Sequence, residues 1–163
     1  MEGHPDEAFV DFLITGLKYG FHTGVDTANI QTFHSNNLLT AINDPETVSS
    51  LLADELKNNF WIGPFSSSPF PVFRISPLGV VQHKYSIEKR LIVDLSAPHD
   101  NPQHPSINDL IVKKDYSLSY VKIDDAMRII KRLGQGTWLC KLDVKAAFKN
   151  LPTPPSLWTL HGV

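Results

Sequence analysis

Residues 78–95 read LGVVQHKYSIEKRLIVDL, and this stretch decides the fold of the region around it. Two runs rich in β-branched residues, LGVVQ and KRLIVDL, flank a polar connection, a pattern typical of a β-hairpin. The predicted hairpin carries His83, Lys84, Lys89 and Arg90 near its tip. These side chains suit the oxygens of a phosphate group. A solvated strand edge that resists aggregation is the other interpretation of the same residues.

Helices are predicted on the N-terminal side of the hairpin. Apolar residues recur at helical spacing over 7–19, and Gly20 is suited to end that helix. Asp44 followed by proline predicts the N-cap and first turn of a second helix, which ends near Asn58. The connections between these segments are rich in Gly, Ser, Asn and Pro. The run PVFRI at 71–75 adds a short predicted strand.

A helix and then a strand are predicted on the C-terminal side. Apolar residues keep helical spacing over 123–133, and Gly134 ends the pattern. The alternation in TWLCKLD predicts a strand over 137–143 that closes on Asp143. A carboxylate at the end of a buried strand is costly to desolvate unless something offsets the cost. A hard cation such as Mg²⁺ would do so, and so would a capping role for the helical turn near Lys145.

Composition favours a single soluble domain. The chain has 163 residues, a formal net charge of −2 and 42% hydrophobic residues, enough to bury a core. The only cysteine is Cys140, which rules out an intrachain disulfide and a Cys-cluster zinc site and disfavours secretion. No window approaches the run of about 18 apolar residues that a membrane span needs. We therefore expect an intracellular protein with no membrane partner.

Charge is distributed unevenly along the chain. Residues 1–70 hold nine acidic side chains and two Lys or Arg, whereas residues 71–163 hold eight acidic side chains and thirteen Lys or Arg. A polyanionic partner would therefore bind the second part, although a solvated mixed-charge surface explains the same composition. The histidines show no HExxH or comparable metal-ligand spacing.

The order of these segments is more specific than any one of them. The chain carries SPLGVV, the basic hairpin ending in KRLIVDLS, SINDLI, a helix and KLDVKAAF in that order. This order resembles the reverse transcriptases, above all those of DIRS-like tyrosine-recombinase retrotransposons. HPDEAFVDFLITGLKYGF, DELKNN and GPFSSSPFP extend the resemblance over essentially the whole chain.

The resemblance implies an α+β fold that is part of a right-hand polymerase. Residues 1–70 would form an N-terminal helical extension and connection, and residues 71–135 a fingers-like region. Residues 136–163 would begin the palm with its first strand and first catalytic motif. The activity implied is RNA-directed DNA synthesis, in which a dNTP reacts with a primer 3′-hydroxyl on an RNA or DNA template.

The motif around Asp143 carries the implied catalytic residues. Asp143 matches the first of three carboxylates that hold two magnesium ions, and the backbone carbonyl of Val144 would be a further ligand. Two metals activate the attacking hydroxyl and stabilise the leaving pyrophosphate. The other two carboxylates belong to an aromatic-x-Asp-Asp turn in the family.

Five further residues would bind the dNTP. Arg90 matches the fingers arginine that contacts the base and the triphosphate, and Lys84 lies in the same basic hairpin. The backbone N–H groups of Ala146 and Ala147 would face the phosphates. Phe148 matches the aromatic gate that excludes a 2′-hydroxyl by contact, with ordinary core packing as its alternative role.

The chain departs from the family in three places. The family usually has Pro-Lys-Lys where residues 82–84 read QHK, and an aromatic residue where this chain has Lys89. No Asp-Asp turn occurs before Val163, since the pair at 124–125 begins a helix. We therefore expect a truncated polymerase, with the rest of its chain missing, that does not polymerise alone. A non-enzymatic nucleic-acid-binding protein or a decayed retroelement remnant is the alternative.

Overall fold

The protein combines α-helices with two small β-sheets, as seen in a computed structural model that describes residues 4–82, 84–116 and 119–163. The helices are α1 (Glu7–Tyr19), α2 (Leu39–Ile42), α3 (Pro45–Lys57) and α4 (Ile123–Leu133). The strands are β1 (Phe33–His34), β2 (Arg74–Ile75), β3 (Leu78–Gln82) and β4 (Lys89–Val93). Short 3₁₀ helices span Asn108–Leu110, Lys113–Tyr116, Ala147–Asn150 and Pro155–Leu160. The mixed α+β class is confirmed.

The three longer helices form where their sequence signals predict them. The Asp6 carboxylate accepts a hydrogen bond from the Phe9 N–H at 2.9 Å, which caps the first turn of α1. The Asp44 carboxylate accepts from the Thr47 N–H in the same way at the start of α3. Gly20 follows α1 with a φ of 96°, a conformation that favours glycine.

The predicted hairpin is confirmed. Strands β3 and β4 pair antiparallel, with Leu78 opposite Val93 and Gln82 opposite Lys89. His83 lies outside the described residues. A Cβ added at Gly79 would come within 2.8 Å of the Leu38 side chain and 2.9 Å of that of Ile92. Glycine at this position therefore allows the segment that leads into α2 to lie directly on the hairpin.

Two separate apolar clusters hold the fold together. The first joins the hairpin to α2 through Leu78, Val80 and Ala41, with side chains of α3 packed against it. The second consists of Val25, Ile107, Leu157 and Leu160. It is closed by the C-terminal segment, since the Ser76 N–H donates to the Gly162 carbonyl at 2.9 Å. The region before the hairpin and the last residues of the chain thus share one core.

The predicted strand over 137–143 is absent, which corrects the sequence-based expectation. Residues 137–144 have no regular secondary structure, and Leu142 is 89% exposed. The physical reason is that a strand must pair its backbone N–H and C=O groups with a neighbour. Both described sheets are two-stranded and lie elsewhere, so this segment has no strand to pair with.

The strand predicted over 71–75 is shorter than expected. Only Arg74 and Ile75 form β2, which pairs in parallel with β1. The Phe73 carbonyl still accepts from the Phe33 N–H at 3.1 Å, so the chain approaches β1 one residue earlier. No helix in the described part of the chain is long and apolar enough to cross a bilayer.

Candidate functional site

The hairpin presents two basic side chains to solvent. Lys84 follows β3 and Arg90 lies in β4 opposite Val81, and both are exposed. The Lys84 ammonium lies 5.4 Å from the centre of the Tyr85 ring. A planar guanidinium and a compact ammonium on one hairpin can approach phosphate oxygens from solvent.

Lys89 is engaged differently from the other hairpin cations. Its ammonium lies 2.6 Å from Oδ2 of Asp44, the residue that caps α3. The hydrogen bond from Lys89, aided by that from Thr47, holds the pKa of the Asp44 carboxyl below its ordinary value. Since successive residues of a strand point to opposite faces, Arg90 is directed away from this ion pair. Lys89 therefore joins the hairpin to α3, whereas Arg90 stays accessible.

Substitutions of Asp44 should separate its capping role from its charge. Asp44→Asn keeps an acceptor for the Thr47 N–H but loses the ion pair with Lys89, and Asp44→Ala loses both. We expect the urea midpoint near neutral pH to fall in the order wild type, Asp44→Asn, Asp44→Ala. Circular dichroism at increasing urea concentration measures this order.

The lowered pKa of Asp44 also predicts that part of the stability is lost at acidic pH. A carboxyl whose pKa is lowered in the folded state contributes stability above its unfolded pKa and loses it as the pH falls through the folded pKa. The stability difference between wild type and Asp44→Asn should therefore become smaller as the pH falls below 3.8, the ordinary pKa of an aspartate carboxyl. An advantage that stays constant at every pH would show that the ion pair does not stabilise the fold.

The motif around Asp143 lies on an exposed, irregular segment. Asp143 and Val144 precede a turn, and the 3₁₀ helix Ala147–Asn150 follows it. Ala146 has a φ of 52°, in the left-handed region, and it rather than Asp143 precedes the 3₁₀ helix, without a side-chain cap. The capping role considered for Asp143 is therefore wrong, and its carboxylate is exposed to solvent.

The aromatic side chain of the motif is also exposed. Phe148 is 91% accessible, so its alternative role in core packing is wrong. Its neighbour Lys149 forms an ion pair with Glu55 of α3, and the Lys149 ammonium lies 5.5 Å from the centre of the Phe60 ring. The other carboxylate oxygen of Glu55 is buried and has no hydrogen-bond partner among the described residues. The Lys149–Glu55 pair thus anchors the motif to α3.

The two halves of the predicted site are tied to opposite ends of α3. Lys89 pairs with Asp44 at its first turn, and Lys149 pairs with Glu55 near its last. These acids are eleven residues apart, or about 16 Å along a helix. Arg90 and Phe148 adjoin the two lysines, so the structure presents the halves on one scaffold without enclosing them in a common pocket.

The described cavities do not involve the predicted site residues. One open cavity lies against α1, beside Phe12 and Phe21. Another lies beside Ile30 and Val72, where Thr159 contributes to its lining. Neither is lined by a carboxylate cluster, a lysine or an arginine, and Asp11 and His22 are the titratable residues of the first.

The donor set for magnesium is incomplete. The oxygen chemistry of Asp143 and the Val144 carbonyl suits a hard cation. Over residues 4–82, 84–116 and 119–163, however, no group of three or more His, Cys, Asp or Glu side chains could hold a metal ion. One carboxylate does not fit a two-metal centre, so no catalytic step can be assigned to these residues alone.

Sequence reasoning missed two structural cations. Arg74 is buried, donates to the Pro105 carbonyl at 2.7 Å and lies 5.2 Å from the centre of the Phe33 ring. Burial lowers the pKa of its guanidinium. An arginine inside the apolar run PVFRI is the signal that could have revealed it. Lys149 had no local signal, because its partner Glu55 is distant in sequence.

No protein-family model, curated protein or solved structure matches the chain. A functional assignment therefore depends on the residues themselves and on their order.

Proposed function

We propose that the chain is the fingers and the start of the palm of an RNA-directed DNA polymerase of the right-hand type. The reaction is nucleotidyl transfer from a dNTP to a primer 3′-hydroxyl. The observation that carries the proposal is the ordered set SPLGVV, KRLIVDLS, SIND and KLDVKAAF within one chain. A basic hairpin that precedes an accessible Asp143 by some fifty residues supports it.

Asp143 is the residue on which catalysis depends in this proposal. Magnesium would be held jointly by Asp143, the Val144 carbonyl and carboxylates from an aromatic-x-Asp-Asp turn. Residues 1–163 contain one of the three carboxylates. Carboxylates that hold the same metal ions act together, so one of the three does not retain a third of the activity. This chain therefore does not polymerise by itself.

The hairpin and the residues after Asp143 would bind the nucleotide. Arg90 and Lys84 are accessible to a triphosphate. Ala146 and Ala147 would supply backbone N–H groups, and the exposed ring of Phe148 would lie under the sugar as a gate. The ion pairs of Lys89 and Lys149 with α3 fix where the hairpin and the motif lie along this helix.

The experiment that tests the proposal is to read the transcript across the codon for Val163. We expect the reading frame to continue into a segment with an aromatic-x-Asp-Asp turn. The product of the longer frame should then extend a DNA primer on an RNA template with Mg²⁺. A stop codon directly after Val163 would contradict the enzymatic proposal for the expressed chain.

A non-enzymatic nucleic-acid-binding role is the second candidate. The observation that favours it is the excess of Lys and Arg over acidic residues in 71–163, with Lys84 and Arg90 accessible on the hairpin. Phosphate contacts make affinity fall steeply as salt rises, because bound counterions are released. This role needs only the basic half of the chain and no metal centre.

Salt-dependent binding measures the hairpin contribution to either function. We expect the full chain to bind an RNA–DNA hybrid at low salt in fluorescence anisotropy. The double variant Lys84→Ala/Arg90→Ala should reduce the slope of log K against log salt by about 2, one unit for each lost phosphate contact. Lys18→Ala on α1 is the matched control and should leave the slope unchanged. An unchanged slope in the double variant would remove the hairpin from the interface.

A further inference from the structure

Helix α4 leaves its apolar side uncovered. At about 100° per residue, Ile123, Met127, Ile130 and Leu133 form one stripe, and the charged residues lie on the opposite side. Their exposed fractions include 74% for Ile123, 48% for Met127 and 60% for Leu133. An amphipathic helix normally buries such a stripe, so this surface is suited to an additional partner.

The charges that border the stripe are arranged in two matched pairs. Asp124 and Lys131 are seven residues apart, so they lie within about 20° of each other along one border. Asp125 and Arg132 have the same spacing on the polar side of the helix, beyond Ile129. The acidic residues occupy the first turn and the basic residues the last turn of α4. Each pair therefore runs from negative to positive along the helix.

We propose that α4 binds α4 of a second copy of this chain in an antiparallel, two-fold symmetric pair centred near Arg128. In antiparallel helices the same border of each helix faces its counterpart. Asp124 then lies beside Lys131 of the second copy, and the symmetry axis repeats the contact. The same centre places Ile123 against Leu133 of the second copy. Charge and apolar pattern thus specify one register.

The charge pattern discriminates against the other arrangements. In a parallel pair of helices the acidic turns would lie side by side, as would the basic turns, and both contacts repel. An anionic membrane or a nucleic acid would be repelled by the acidic residues of α4 as well as attracted by its basic residues. Arg128 on that face is already paired with Asp125 at 3.1 Å. A second copy is the partner that complements both signs.

Asp124 and Lys131 should determine the pairing more than Asp125 and Arg132 do. Asp125 accepts a hydrogen bond from the Lys122 N–H at 3.0 Å in addition to its contact with Arg128. In contrast, none of the ion pairs found among the described residues involves Asp124 or Lys131. These two side chains are therefore the ones to exchange in a test.

The test uses charge reversal in the full chain, measured by sedimentation equilibrium. We expect the wild type to show a concentration-dependent monomer–dimer equilibrium. Asp124→Lys and Lys131→Glu should each weaken self-association roughly tenfold or more, because each turns two attractive contacts into repulsive ones. An equimolar mixture of the two variants should recover dimer, since the mixed pair places opposite charges at both of the symmetric contacts. Lys18→Glu on α1 is the charge-matched control and should behave as wild type.

The apolar stripe has its own test. Met127→Asp should abolish the dimer, and the partial exposure of Met127 makes the change compatible with folding. If circular dichroism shows that this variant is unfolded, the mixing experiment decides alone, because charge reversal at exposed positions leaves the core intact. A nitroxide on Cys140, the only cysteine, should report an inter-subunit distance in the wild type that is lost in Asp124→Lys, and its presence in both would contradict the proposed pair.

Three outcomes would overturn the dimer. They are a wild-type chain that stays monomeric at all accessible concentrations, a variant mixture that associates no better than either variant, and binding of α4 to anionic vesicles in place of self-association. The inference stands apart from the polymerase proposal, since it uses no residue of the predicted nucleotide site. A stop codon after Val163 would leave it untouched.

Discussion

Replacing Asp143 with asparagine should lower the rate of primer extension at least about 100-fold in a product that also carries an aromatic-x-Asp-Asp turn. Asparagine keeps the shape of the side chain but removes the negative charge that a magnesium ion requires of its ligand. The remaining carboxylates cannot compensate, because the metal pair needs all of its ligands at once. Single-turnover extension of a DNA primer on RNA with Mg²⁺ measures the effect.

The structure predicts that this substitution acts on chemistry and not on folding. Asp143 is exposed and belongs to no ion pair found in the described part of the chain. The unfolding midpoint and the affinity for an RNA–DNA hybrid should therefore stay at wild-type values. Asp11→Asn, an exposed acid on α1, is the matched control and should extend the primer normally. Retained extension by Asp143→Asn would sink the assignment of this residue.

Replacing Leu160 with alanine should destabilise the fold by about 2–5 kcal/mol. Leu160 is 0% exposed and packs in the cluster that contains Val25, Ile107 and Leu157. The loss combines the transfer free energy of the removed methyl groups with the cost of the cavity they leave. Domains of this size are stable by about 5–15 kcal/mol, so the change removes a large fraction of the total. Urea unfolding measures it as a shift in midpoint.

Leu142→Ala is the matched control for this prediction. The same leucine-to-alanine change at an 89% exposed position should alter the free energy of unfolding by no more than about 0.5 kcal/mol. A cost at Leu142 equal to that at Leu160 would mean that residues 137–143 are buried as a strand after all. The pair of variants therefore tests the main difference between the sequence-based expectation and the structure.

The elements that could be predicted were those with local causes. Helices α1, α3 and α4 follow from apolar periodicity and from capping residues such as Asp44 and Gly134, all within a few positions of the helix they define. The hairpin follows from two β-branched runs joined by a polar turn. The segment over 137–143 has an equally good strand pattern, yet the strand predicted there is absent. Its pattern describes side chains, whereas a strand exists only when another strand pairs with its backbone.

The candidate site divides in the same way. Its residues could be chosen from the sequence, because the order of motifs from SPLGVV to KLDVKAAF is visible in the letters alone. Their arrangement in space could not be predicted from the sequence. The residues near Lys89 and Lys149 in sequence do not predict that these lysines pair with Asp44 and Glu55. These pairs attach the two halves of the site to opposite ends of α3.

By itself the sequence determined the α+β class, the hairpin, the longer helices and the identity of the residues proposed for chemistry. Only the tertiary structure decided that Leu157 and Leu160 complete a core begun by Val25, that Arg74 is buried, and that Asp143 and Phe148 face solvent. The physical reason is the range of the interactions. Capping and periodicity act over one or two turns, whereas burial and ion pairing depend on residues that only folding brings together.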